Sequence, residues 1–482
     1  MPQNEQTYDV IVIGGGPAGY VTAIRAAQLG MKTACVDNWT NHCGQGSLGG
    51  TYINAGCIPA IALLESSKIY HQLKHEIADH GIDVGSISID ILRMQKRKDR
   101  IIDNLSRQIA DIFRHWGIDS LHGKGRLLTN KQVEIYTVDG EQQDIISAEN
   151  IILAAGSSPM ELPCAPVDGE FIIDSNSALN LESTPKRLGI IGAGVIGFEL
   201  GGIWKKLGSE VILLEAQEEF LPHADQEISR EAYRLYTKQG LDIRLGARVI
   251  SAKKGHKKVT VEYEDKEGSH CLRLDKLIVA SGRKPNTENL SAPEADLLLD
   301  ENGFIHVDEN CCTTLPGVYA IGDLTLSGPM LAHKGLEEGV FVAEQIAGKL
   351  RSINYDTIPN VIYTAPEIAW VGSTEQALRA IGENIKVSVF PLKALSRAQV
   401  IGKTDGLVKM ITHAESDVIL GVHIIGAHAS ELIAEAVLAM EFSGSAEDLA
   451  RTIHAHPTLA EGIHEAALAL DNRSLHLLPA QS

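Results

Sequence analysis

One pattern, present twice, constrains this chain more than any other feature. Tyr8 to Ile13 (YDVIVI) is a short apolar run rich in β-branched residues, and it leads into GGGPAG. A helical pattern then runs through Leu29, and a second apolar run covers Lys32 to Val36. Strand, glycine-rich turn, helix and strand together make a βαβ unit. The same order returns from Arg187 to Glu215, where GAGVIG opens the helix. An internal duplication of nucleotide-binding units is the simplest reading. The expected fold class is α/β, with two Rossmann-like dinucleotide-binding domains and a C-terminal α+β domain.

The rest of the chain is arranged around these units. A helical stretch is expected from roughly Ile58 to Trp116, followed by strand-like pieces that end at IILAAGSSP. Pro159 and Pro163 mark a linker, and the second unit closes near LIVASGRKPN. The expected divisions are 1–150 for the first nucleotide domain, 151–282 for the second, 283–352 for a central segment, and 353–482 for an interface domain.

The first fingerprint is Gly14-x-Gly16-x-x-Gly19, with Asp37 at the end of the next strand. It follows a strand and opens a helix, the context in which such glycines let a pyrophosphate approach a helix N-terminus. Asp37 is placed to accept from a ribose. The second fingerprint is Gly192-x-Gly194-x-x-Gly197, with Glu215 as its acid. A carboxylate there binds a free ribose 2′-hydroxyl and repels a 2′-phosphate, and no Arg follows within several residues, so NAD(H) is expected over NADP(H). Two such sites imply two cofactors, most simply a resident FAD and an exchanging NAD.

The net charge of −19 argues against a nucleic-acid or anionic-membrane partner. The basic run Arg93 to Arg100 is read as a solvated helix face. No uncharged apolar stretch reaches the ~18 residues of a membrane span, and the polar N-terminus is unlike a signal peptide. Seven cysteines without framework spacing fit a reducing, cytoplasmic compartment. The adjacent Cys311 and Cys312 are read as small residues packed before a strand.

The segment Gly49 to Ile61 reads GGTYINAGCIPAI and resembles the redox-active motif of the flavoprotein disulfide reductases, whose usual form is GGTCxNxGCIPSK. The likeness extends through GVYAIGD, GPMLAHKGLEEG, YTAPEIAWVG, GVHIIGAHASELIAEAVLA and HAHPTLAE. Together these cover essentially the whole chain, which resembles the dihydrolipoamide dehydrogenase family of FAD- and NAD-linked pyridine nucleotide-disulfide oxidoreductases. The resemblance implies a homodimer. It places Gly50, Thr51, Ala155, Gly156, Ser157, Asp323, Met330, Leu331, Ala332 and His333 around FAD, with Gly125 near the adenine. It places Val249 and Gly282 by the NAD, and Glu199 among the cofactor-binding residues as the partner of the flavin-side lysine. His456 is implied as the acid-base histidine, oriented by Glu461 and serving the partner's redox centre. Five residues separate the two, so their contact does not follow from spacing alone. A metal site built on His454, His456 and His464 is the lesser alternative.

The departures fall at the reacting centre. Cys57 stands where the flavin-facing thiol belongs, but Tyr52 replaces the first redox cysteine and Ile61 replaces the lysine beside the flavin. Tyr52 cannot form a mixed disulfide, and Ile61 deprives Glu199 of its implied partner. Ala60 and Ala365 are lesser changes. Cys43, in an inserted loop 14 residues before Cys57, is a candidate substitute thiol. Three functions follow. The favoured one is an FAD-dependent NAD(H) oxidoreductase that uses direct or single-thiol (Cys57) chemistry. The second is an ordinary dihydrolipoyl dehydrogenase, engineered or compensated by Cys43. The third is a catalytically silent flavoprotein acting as a binding subunit. A lipoyl-bearing carrier protein or a small thiol is the expected further partner.

Overall fold

A computed structural model describes residues 7–41, 43–137, 139–349 and 351–477. The chain forms two compact units. The first gathers Met1–Leu63, Asp90–Met160 and Gly282–Ile353; the second gathers Leu64–Ile89, Glu161–Ser281 and Asn354–Ser482.

In the first unit, the strand Thr7–Ile13 pairs in parallel with Thr33–Asp37 on one side and Gln142–Leu153 on the other. These belong to a seven-stranded sheet that Val318–Ala320 joins alongside Gln142–Leu153. Val10, Ile11 and Val12 are fully buried, as a strand covered on both faces requires. The helices Pro17–Gln28 and Ala332–Ile346 pack closely against each other. Gly339 permits this, because a Cβ there would meet the Ala18 carbonyl oxygen at 2.6 Å.

The second unit carries a five-stranded parallel sheet in the order Asp242–Arg244, Glu210–Leu214, Arg187–Ile191, Lys276–Val279, Ile172–Asp174. An antiparallel sheet of three strands spans Arg248–Leu274. The chain ends in a five-stranded antiparallel sheet over residues 360–426, followed by the helices Ala429–Glu441, Ala446–Arg451 and Glu461–Ala469. Lys409 of this last sheet is buried and bonds Asp225 at 2.8 Å and Glu375 at 2.6 Å. A buried cation needs such partners to offset its desolvation.

Several local expectations change. The helical stretch of residues 58–116 is not continuous. It divides into Cys57–His75, Ile77–His80 and Ile91–Trp116. Gly81 takes a left-handed conformation after the second piece, and Asp90 caps the third by accepting from the Arg93 amide at 3.0 Å. The Cys57–His75 helix has 19 residues, and its later part groups with the second unit. There Glu76 pairs with Lys403, and Lys68 lies 3.8 Å from Glu367. The basic run is not wholly solvated either. Arg93, Lys96, Arg97 and Arg100 are exposed, but Lys98 turns inward and is 3% exposed. It shares the buried face of its helix with Met94 and Phe113. Cys311 is buried ahead of the strand Val318–Ala320.

Candidate active site

The first fingerprint forms as a tight turn. Gly19 sits so near the preceding loop that a Cβ would lie 1.8 Å from the Gly14 carbonyl oxygen. Gly50 closes on the same turn, its missing Cβ 2.6 Å from Gly16 Cα. Asp37 Oδ1 accepts from the Gly15 amide at 3.0 Å. Its Oδ2 is buried and has no hydrogen-bond partner among the described residues. Burial pushes this carboxyl up, against the backbone amides of Gly15 and Trp39. An unsatisfied buried carboxylate oxygen is costly, and a ribose hydroxyl donating to it would remove that cost. Asp37 also lines a cavity of about 390 Å³ with Cys43, Ser47, Arg107 and His122.

Further parts of the same unit converge on this turn. Gly125 packs its open side against Ile13 and Val36. Ala155 to Ser157 leave the strand Gln142–Leu153, and the space where a Gly156 Cβ would stand is open. The Ser157 hydroxyl donates to Asp323 Oδ2 at 2.6 Å. Met330 and Leu331 lead into the helix that Ala332 and His333 begin. The close-packed glycine turn and the unpaired Asp37 oxygen suit a dinucleotide such as FAD.

In the second unit, Gly192 to Gly197 repeat the turn, with a Gly197 Cβ falling 2.1 Å from the Gly192 carbonyl oxygen. Glu215 Oε2 accepts from the Ala193 amide at 2.9 Å and Oε1 from the Gln217 amide at 3.0 Å. The carboxylate is thus held at the end of its strand, over the turn. Val249 packs against the core beneath this sheet. Gly282 falls in the first unit, where its carbonyl accepts from the Met160 amide at 2.9 Å.

Tyr52 lies on the short helix Gly50–Asn54, and Cys57 begins the next helix. Tyr52 is half-buried, packed against the core that holds Ile53 and Phe113. Burial, and then the proximity of Cys57, push its phenol up. Cys57 is exposed, and no disulfide joins it to Cys43. Cys43 instead stands in the wall of the Asp37 cavity, which Cys57 does not line.

His456 and Glu461 do meet. Nδ1 lies 2.7 Å from Glu461 Oε1, and the second carboxylate oxygen accepts from the Thr458 amide at 2.8 Å. Burial raises the Glu461 carboxyl, but the bonds from His456 and Thr458 outweigh it and hold the group below its usual range. A carboxylate only accepts, so Nδ1 carries the proton and Nε2 is the basic nitrogen. The His456 side chain is 62% exposed, which leaves that nitrogen available. His454 is engaged elsewhere, at 2.6 Å from Glu435 and stacked on His464.

Glu199 is buried in the helix Val195–Lys206, where Oε1 accepts from the Tyr363 amide at 2.9 Å. Burial pushes its carboxyl up to about 7, and the single amide bond only partly opposes this. Between about pH 4.5 and 7 the folded protein therefore binds more protons than the unfolded chain, and stability falls as pH rises through that window. Glu199→Gln is expected to remove a fall of roughly 3 kcal/mol. Urea midpoints of both proteins at pH 5 and pH 8 check this: the parent should lose stability and the variant should not.

Two features escaped the sequence reading. One is a buried ion pair, Lys334–Glu338 at 3.3 Å, whose members bind Gly322 O and Gly322 N and so brace the turn carrying Asp323. Opposite charges four apart on an otherwise apolar helix face were the available signal. The other is Arg283, whose role appears only through its contacts with Ser157.

The sequence matches a family model described as pyridine nucleotide-disulphide oxidoreductase over residues 8–339, and the corresponding dimerisation domain over residues 358–467. It is 47% identical over 473 residues to a dihydrolipoyl dehydrogenase of Cupriavidus necator, which covers 98% of this chain and 99% of that protein. It is 42% identical over 463 residues to a leghemoglobin reductase of Vigna unguiculata, which covers 96% and 87%. Among solved structures it is similar to RclA, an HOCl-induced flavoprotein disulfide reductase from Escherichia coli, in its Cu(II) complex. The TM-score is 0.85 at 27% identity, covering 96% of this chain and 99% of the other.

Proposed function

Since the chain belongs to the pyridine nucleotide-disulphide oxidoreductases, flavoproteins that work with FAD and NAD(H), we propose that it is a dihydrolipoyl dehydrogenase-like oxidoreductase that has abandoned the internal disulfide. Tyr52 carries this reading: a half-buried phenol whose proton is held more tightly than usual occupies the place of the attacking thiol. Bound FAD supplies hydride acceptance from NADH and onward transfer of the electrons. Asp37, Gly14 to Gly19, Gly125, Ala155 to Ser157, Asp323 and Met330 to His333 hold it. Gly192 to Gly197 and Glu215 hold the nicotinamide dinucleotide, with Val249 alongside.

Cys57 is the remaining thiol at the reacting centre. The intact His456–Glu461 pair favours single-thiol chemistry there: as a small thiol attacks a mixed disulfide held by Cys57, Nε2 takes its proton and returns it to the thiolate that leaves, one S–S bond forming as the other breaks. The pair serves the other protomer of a homodimer. Leu438, Phe442 and Ile453, apolar residues of the dimerisation domain that are 61%, 78% and 96% exposed in the single chain, are candidates for burial in that contact. The relative named leghemoglobin reductase supports acceptors other than a disulfide.

Anaerobic titration with NADH tests the proposal by counting electrons taken up per flavin. Two electrons are expected. Uptake of four would reveal a second redox centre and favour the alternative in which Cys43 restores a dithiol. No uptake at all would leave a silent binding subunit.

A further inference from the structure

We propose that Arg283 is a positioning residue for the flavin's ribityl chain, acting through the Ser157 hydroxyl on Asp323; this rests on the reading of Asp323 as the ribityl-binding carboxylate. Arg283 Nε lies 2.7 Å from Ser157 Oγ, and its Nη2 donates to the Ser157 carbonyl at 2.5 Å. Ser157 Oγ in turn lies 2.6 Å from Asp323 Oδ2.

The direction of each bond follows from what the groups are able to do. A guanidinium has donors only, so Ser157 Oγ must accept from Arg283. A serine hydroxyl has one proton, and the ionised carboxylate has only lone pairs to offer. The Ser157 proton therefore points at Asp323. Left alone, this hydroxyl would rotate among its staggered positions. With Arg283 occupying one side it has a single orientation. Asp323 Oδ2 is thereby committed, and Oδ1 remains as the acceptor for a ligand hydroxyl. Both bonds involve an ionised partner and belong to the stronger class.

The surrounding backbone holds the relay in register. Ser157–Pro159 pairs antiparallel with Arg283–Pro285. The Asn286 amide donates to Gly156 O at 2.9 Å, its side chain donates to Ala155 O at 2.9 Å, and Ser158 Oγ bonds Asn286 Oδ1 at 2.7 Å. On the far side, Lys334 and Glu338 brace the Asp323 turn. A hydroxyl fixed between two anchored strands has little reorganisation to undergo when a cofactor arrives.

FAD dissociation constants of the apoprotein, read by flavin fluorescence, test the relay. Ser157→Ala and Arg283→Lys are each expected to weaken FAD about tenfold to hundredfold. Ser157→Thr keeps a hydroxyl and should retain most of the affinity. If Arg283 acts through Ser157, the double variant Ser157→Ala with Arg283→Lys loses no more than the weaker-binding single. Losses that multiply would show that Arg283 acts independently and would overturn the proposal. So would unchanged affinity in Ser157→Ala while Asp323→Asn loses FAD. Unchanged affinity in Asp323→Asn would instead sink the ribityl assignment on which the relay rests.

Discussion

Dihydrolipoamide turnover by this chain is expected to stand at background, while reduction of an artificial dye by NADH persists. A covalent relay that loses its nucleophile loses roughly 10⁴-fold or more, because its members act as a unit. On the proposed reading Tyr52 takes the nucleophile's position, and burial raises its phenol further from ionisation at neutral pH. A phenol, even ionised, forms no disulfide bond. Tyr52→Cys should restore part of the activity. Adding Ile61→Lys should restore more, by returning a cation beside the flavin. His456→Ala should then slow lipoamide turnover in the repaired protein and leave dye reduction nearly unchanged. High turnover by the unaltered chain would refute this account. Cys43→Ser would then identify the substitute thiol, although Cys43 sits by Asp37 rather than with Cys57.

The second large effect concerns the nucleotide. NADH is expected to exceed NADPH in kcat/KM by roughly a hundredfold or more, since a like-charge contact in a binding site costs several kcal/mol. On the proposed reading Glu215 faces the ribose, and the Ala193 and Gln217 amides already fix it, so it cannot swing aside at no cost. The nearby Arg244 does not offset this, because its guanidinium is bonded to Asp242 and to the Tyr263 hydroxyl. Glu215→Ala should shrink the preference, mainly through a lower KM for NADPH. Comparable turnover with both nucleotides in the unaltered protein would contradict the assignment.

What was legible in the sequence was local. Gly14, Gly16 and Gly19, followed by Asp37, lie within one strand–turn–helix–strand unit, where adjacent residues dictate the backbone and hence the spacing of the chemistry. Gly192 to Glu215 are the same case. Tyr52, Cys57 and Ile61 share one short segment, so the proposal of an altered centre rests on local sequence in the same way. Periodicity also identified the helices, but not the break at Gly81 or the inward turn of Lys98, where tertiary burial overrode a charged pattern.

Only the tertiary structure decided which side chains meet. His456 and Glu461 are near in sequence, yet their contact depends on how residues 457–460 fold back. Ser157 reaches Asp323 across 166 residues and Arg283 across 126, and no periodicity encodes either pairing. Likewise, Asp37 reads in sequence as a ribose acceptor, but its unsatisfied oxygen is a property of the walls around it. Local rules determine backbone conformation through steric and hydrogen-bond limits a few residues wide. Burial, partner choice and proton direction arise from long-range packing, and this site's chemistry rests on those.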